Sequence, residues 1–176
     1  MIFQLLSNPI LLLPLLAAIL IALTVHEFAH AYTAEKLGDS TAKHAGRLTL
    51  NPLSPIDPMG FLLLLTVGFG WANPVPYNEY NLKNPKWGGA IIALAGPISN
   101  LIVAIIGIIL AWGMLFIPVA PNSLLPLFLK YIVIYNVILM LFNLLPLPPL
   151  DGSKLLFFFF FYKYGHLRQI LLVYGP

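Results

Sequence analysis

Three apolar runs decide what this chain can fold into. Residues 9–37, 87–116 and 124–144 each match or exceed the ~20 helical residues that cross a hydrocarbon core. In lipid every backbone polar group must be satisfied internally, so isolated runs of this kind form helices. The remaining sequence offers no competing soluble core. With 60% hydrophobic residues and 9% charged ones, the chain reads as an integral membrane protein. We therefore expect an all-α polytopic membrane protein forming a single transmembrane domain over 1–176. It should have about three full transmembrane helices, a short or re-entrant apolar segment and one broken helix.

Several function classes fall away at once. Cysteine is absent, so there is no disulfide framework and no thiolate to act as nucleophile or ligand, which leaves His, Asp and Glu as the strong ligands. The net charge of +3 is small and the basic residues form no run, so nucleic acid is not an expected partner. Residues 1–25 carry no charge, and no basic segment precedes the apolar run. The first helix is thus expected to be retained rather than cleaved as a signal peptide. At the other end, Ile170–Val173 starts a new apolar run just before Pro176, so a further C-terminal span is expected to be truncated.

Ionisable residues inside membrane segments are costly and mark function by default. The first run holds three well inside it, in Thr24-Val25-His26-Glu27-Phe28-Ala29-His30, ahead of Glu35 and Lys36 in its last turn. Positions i and i+4 share a helical face, so His26 and His30 can offer two imidazole nitrogens to one metal ion. Glu27 lies beside the first histidine, where its carboxylate can take a proton from water activated by that metal. Ordinary residue usage produces this pattern in about one chain of this length in a few hundred. Glu35 lies nine residues beyond His26, or ~13 Å at helical rise, so the motif is below one membrane surface but short of the midplane.

Gly38 is a natural stop for this helix. Residues 39–58 read as a loop outside the hydrocarbon core, with a short strand expected over Arg47–Leu50 and His44 as a solvated loop histidine. Residues 59–69 are apolar but too few to cross. The strip 71–78 holds Pro74 and Pro76, which forbid helix and leave extended backbone. Such a strip can pair with another extended chain, or it can be an interfacial loop anchored by Trp71 and Tyr77. In the second span, Ala95-Gly96-Pro97-Ile98-Ser99-Asn100 suggests a break or kink with close helix contact. Asn100 is either an interhelical hydrogen-bonding group or a participant in the site. The third span dissolves into Asn143-Leu144-Leu145-Pro146-Leu147-Pro148-Pro149-Leu150-Asp151. Broken backbone at membrane depth lines a cavity or is buried in protein, which makes Asp151 the candidate third metal ligand. Its competing role is to cap a helix starting at Gly152. Residues 155–162 read as a short aromatic helix and His166 as an interfacial residue.

With the first span ending on the side where the short segment re-enters, eight of the nine basic residues fall on that side, all but Lys130. The excess of basic residues makes it cytoplasmic and places the N-terminus outside.

Taken together, H-E-F-A-H at 26–30, G-W-A-N-P-V-P at 70–76, G-P-I-S-N at 96–100 and N-L-L-P-L-P-P-L-D-G at 143–152 resemble the site-2 protease family of intramembrane zinc metalloproteases. The resemblance implies one Zn2+ per chain on His26, His30 and Asp151. It also implies Glu27 as general base and Asn143 as holder of substrate or oxyanion. Asn73, Pro74 and Asn100 become candidate substrate contacts. The implied substrate is a membrane-embedded protein or peptide, and the implied site faces the cytoplasm of a prokaryotic cell membrane. With no room for a PDZ or CBS domain, the chain is similar to the compact members. The competing class is a membrane protein that binds or transports a divalent metal without hydrolysis, which has no need of Glu27.

Overall fold

The computed structural model describes residues 8–67, 73–120 and 123–161. Six α-helices lie among them: α1 (Leu12–Leu37), α2 (Thr41–His44), α3 (Pro58–Val67), α4 (Pro85–Gly113), α5 (Leu125–Asn143) and α6 (Asp151–Phe161). Short 3-10 turns at Pro9–Leu11, Glu79–Asn81 and Met114–Phe116 extend or link them. Helices over Pro9–Leu37, Trp87–Phe116 and Leu125–Asn143 are long and apolar enough to cross a membrane. The ten residues of α3 rise only ~15 Å, too little to cross. The expected all-helical membrane architecture is therefore present. The expected further span after Ile170 and the aromatic Trp71 lie outside the described residues.

The bundle is formed by α1, α4 and α5, each packed on the other two, with α6 laid against α4. Small residues allow the close approach: Ala18, Ala22, Ala31 and Ala34 of α1 and Ala90, Ala93 and Ala104 of α4 are buried. Water gives no hydrophobic drive between helices in lipid, so contact rests on such close packing and on interhelical hydrogen bonds. Bulky residues of α4 such as Ile102, Ile105, Ile109 and Trp112 are exposed, as a lipid-facing side requires.

α1 ends as its sequence predicts. Gly38 takes φ 109°, a left-handed conformation suited to glycine, and the Asp39 N–H closes the turn on the Ala34 carbonyl at 2.9 Å. Three expectations change. Arg47–Leu50 is not a strand; the guanidinium of Arg47 instead donates to the carbonyls of Ser54 and Asn73, tying two loops together. α4 is not broken at Gly96-Pro97 but runs on through Pro97. Membrane helices tolerate proline in their interior. Finally, α6 begins at Asp151 itself rather than at Gly152.

Candidate active site

α1 presents His26 and His30 on one face, and the chain break between α5 and α6 brings Asp151 to them. The Nε2 atoms of the two histidines are 3.0 Å apart, and Asp151 Oδ2 lies 3.1 Å from His26 Nε2 and 3.0 Å from His30 Nε2. All three side chains are buried. Gly96 of α4 lies close against the cluster: a Cβ there would collide with His30 Nε2 and His26 Cε1. Gly152 is equally constrained, since a Cβ there would strike the carbonyls of Leu144 and Leu145 where the broken chain folds back.

Backbone carbonyls settle which ring nitrogens carry protons. A carbonyl oxygen can only accept, so His30 Nδ1, 2.7 Å from the Ile92 carbonyl, must be the protonated nitrogen. The same logic runs through α4 and α5 to His26. Asn136 Nδ2 donates to the Ile132 carbonyl (2.8 Å), which turns its Oδ1 toward Asn100 Nδ2 (2.8 Å). Asn100 Nδ2 also donates to the Ala22 carbonyl at 3.1 Å, so Asn100 Oδ1 faces His26 Nδ1 at 2.7 Å and accepts its proton. In their neutral forms both imidazoles then turn unprotonated Nε2 atoms toward the Asp151 carboxylate.

With the rings neutral, three lone pairs about 3 Å apart repel one another unless a cation, a proton or a metal ion, joins them. The residues therefore fit a metal ion, and the donor set, two imidazoles and a carboxylate, is that of an open catalytic zinc centre. Zinc bonds of ~2.0–2.1 Å in a tetrahedron separate ligand atoms by about 3.3 Å, so the cluster needs to open by only a few tenths of an ångström. Asp151 does not divide its oxygens between ligand and helix cap. Its Oδ1 instead accepts from Lys154 Nζ at 3.1 Å.

The other expected residues fall in different places. Glu27, half-buried, follows His26 on α1. Asn100 is completely buried behind His26, with both ends of its amide engaged. Asn143 is the last residue of α5, and its Nδ2 donates to the Leu139 carbonyl at 3.0 Å. Asn73 joins two loops, its N–H to the Pro55 carbonyl (2.8 Å) and its Nδ2 to the Ile56 carbonyl (3.2 Å), while Pro74 is exposed. Among the described residues none of Asn73, Pro74 or Asn143 hydrogen-bonds a ligand. Sequence reasoning passed over Asn136, Lys154 and Asp39. Asn136 carried the same signal as Asn100, an amide in an otherwise apolar helix, and it too is completely buried.

Asp39 is the hub of a second polar network, outside the bundle. Its Oδ1 accepts from Thr41 Oγ1 (2.5 Å), Thr41 N (3.1 Å) and Asn81 Nδ2 (2.9 Å), and its Oδ2 from Asn78 N (2.7 Å). Burial opposes its ionisation, but the hydrogen bonds outweigh that and hold the carboxyl below its ordinary range. Lys83 N–H adds a bond to the Leu37 carbonyl at 2.9 Å. The segment 73–83 is thus fastened to the end of the helix that carries both histidines.

Fold and site define a helical membrane protein with a buried trio of side chains that could hold a metal ion, and with Glu27 next to the first of them in the chain. Comparison with known proteins makes that class specific. Residues 113–170 match the model of peptidase family M50. YwhC of Bacillus subtilis, provisionally named a zinc metalloprotease, is 47% identical over 84% of this chain and 70% of its own length. Rip2 of Mycolicibacterium smegmatis, under the same provisional name, is 32% identical over 78% of this chain and 53% of its own. The zinc metalloprotease MJ0392 of Methanocaldococcus jannaschii is 27% identical over 94% of this chain and 40% of its own. The chain thus spans about half the length of Rip2 and less of MJ0392. No solved structure is significantly similar to it. The chain belongs to peptidase family M50, and the site-2 protease resemblance of its motifs is borne out.

Proposed function

We propose that the chain hydrolyses peptide bonds of membrane-embedded proteins at the cluster of His26, His30 and Asp151, with Glu27 as general base. Membership of the family makes it a membrane-embedded zinc metalloprotease. The observation that carries the assignment to these residues is the convergence of two imidazole nitrogens and a carboxylate oxygen, with the Nδ1 atoms of both rings already engaged by Asn100 and the Ile92 carbonyl. Zinc, when bound there, supplies Lewis-acid polarisation of a carbonyl and acidifies water toward a pKa of ~7.

The protein's own groups do the rest. Glu27 takes the proton of the attacking water and returns it to the leaving amine. Asn100 acts through His26, holding its ring and its Nδ1 proton in place, so its role here is positioning rather than substrate contact. Asn143 can release the Leu139 carbonyl and turn its amide toward a developing oxyanion, a donor of the kind worth roughly 3 kcal/mol. A helical substrate hides its carbonyls in its own hydrogen bonds and must unwind before attack. The extended segment after Asn73 receives the unwound strand by edge pairing. Asn73 is already committed, and Pro74 and Pro76 have no N–H, so pairing centres on Val75, whose backbone makes no hydrogen bond among the described residues. A scrambled 74–77 segment should therefore cut peptide turnover while leaving zinc content intact. The whole chain acts as one domain, with the site on the cytoplasmic side of a prokaryotic cell membrane; the clustering of basic residues supports that orientation.

The test is cleavage of a single-span peptide in liposomes by wild type and Glu27→Gln at equal zinc content. Turnover in wild type alone is the expected result. Equal turnover in both removes Glu27 from the mechanism. Zinc binding without turnover in either would favour a protein that holds metal without hydrolysis.

A further inference from the structure

Lys154 is not explained by helix formation. It stands one turn beyond Asp151 in α6, and its ammonium does two things at once. Nζ lies 3.1 Å from Asp151 Oδ1, the oxygen that faces away from the histidines, and 5.5 Å from the centroid of the Tyr77 ring. Tyr77 belongs to the extended segment; its neighbour Asn78 is held by Asp39 at the end of α1. The carboxylate is buried while the lysine is about one-third exposed, so the lysine stem leads from the metal centre out to that segment.

We propose that Lys154 is a positioning residue that couples the metal centre to the substrate segment. On the inner side, an ammonium on Oδ1 keeps that oxygen from swinging to the metal and leaves Oδ2 as the single donor, aimed where the imidazoles already point. On the outer side, the same charge rests against the face of Tyr77 and sets how far the segment lies from the reacting centre. The two contacts share one cation. A strand that presses on Tyr77 therefore moves Lys154 against Asp151, and a shift of Asp151 moves the segment. The outer half of the coupling rests on the reading that this segment seats the substrate; the inner half stands on the carboxylate contact alone.

The experiment is a double-mutant cycle with two readouts, zinc dissociation constant by chelator competition on purified protein and the KM and kcat of a single-span peptide at saturating zinc. Lys154→Gln should weaken zinc binding about 10-fold and raise KM. Tyr77→Leu should leave zinc affinity unchanged and raise KM about two- to five-fold, the factor corresponding to an exposed cation–π contact. Lys154→Arg keeps charge and ring contact and should restore most of both. In the Lys154→Gln background Tyr77→Leu should add nothing further to KM, because its partner is already gone. Unchanged zinc affinity in Lys154→Gln overturns the proposal, as do independent, multiplying effects of the two substitutions on KM. If an enzyme with a scrambled 74–77 segment keeps its KM, the substrate-segment reading fails and the coupling fails with it. A segment-dependent enzyme with multiplying effects refutes the coupling alone.

Discussion

Two polar networks hold this site, and they differ in what surrounds them. One lies inside the bundle, from the Ile132 carbonyl through Asn136 and Asn100 to His26, with the Ile92 carbonyl holding His30. The other lies beyond the C-terminal end of α1, where Asp39 gathers Thr41, Asn78 and Asn81, and Arg47 links Ser54 to Asn73. Every bond of the inner network is unique, because no water stands ready to replace a lost partner in an apolar surround, and an orphaned group there carries its full desolvation cost. In the outer network Asp39 is buried, but Asn78 and Asn81 are exposed, so water can take over part of their contacts when these break. The inner network should therefore govern metal affinity and tolerate little, whereas the outer one should govern the placement of the segment and degrade gradually.

The sharpest way to break this comparison is at Gly96, where the inner network has no spare room. Gly96→Ala drives a methyl group into both imidazoles. Overpacking of about 2–3 kcal/mol, relieved only by displacing the rings, should weaken zinc binding roughly 100-fold in chelator competition. Next comes Asn100→Leu, which strands the Nδ1 proton of His26 and Asn136 Oδ1 and removes a second donor from the Ala22 carbonyl. Loss of a group that orients a metal-bound imidazole should lower zinc affinity by about 10- to 100-fold. Asn136→Leu, one step further out, should show a smaller loss of the same kind. If either amide could be replaced without changing zinc affinity, the distinction between the two networks would be gone.

The outer network should respond in a different observable. Asp39→Asn keeps the shape but loses the charge, so zinc affinity should hold while KM rises. Its pH dependence follows from the depressed carboxyl. A group whose folded value lies below its ordinary 3.8 adds stability above that value and loses it as pH falls through the folded value. The melting temperature of wild type minus that of Asp39→Asn should accordingly be positive at neutral pH and shrink on acidification below about pH 4. The smallest effect belongs to the exposed pair Lys43–Glu35, 2.9 Å apart. Surface ion pairs of this type contribute little, and Lys43→Ala should leave both zinc affinity and turnover indistinguishable from wild type.

These contrasts also explain what the sequence made legible. That His26, His30 and Asp151 would meet could be read because a membrane segment leaves few reasons for a histidine, and because three prolines before Asp151 forced the broken backbone that delivers it. The first span could be placed almost to the residue, since Gly38 ends an apolar run in the conformation glycine suits best. The strand expected at Arg47–Leu50 did not form: alternation of polar and apolar residues needs a pairing partner, and Arg47 is occupied with carbonyls of two other loops. Asn136 was missed because a lone amide in a helix has no visible partner until α4 and α5 are packed together. Lys154 and Asp39 stand near helix ends, with nothing in their local sequence to mark them. Their importance lies in contacts with Tyr77, Asn78 and Asn81, which are distant in sequence.

The most direct test of the central claim is the zinc content and zinc X-ray absorption spectrum of purified protein. The account predicts one zinc per chain with two imidazole ligands and oxygen completing the shell, unchanged in Glu27→Gln, and with zinc lost from His30→Ala. A zinc shell containing a single imidazole, or full zinc retention by His30→Ala, would contradict it.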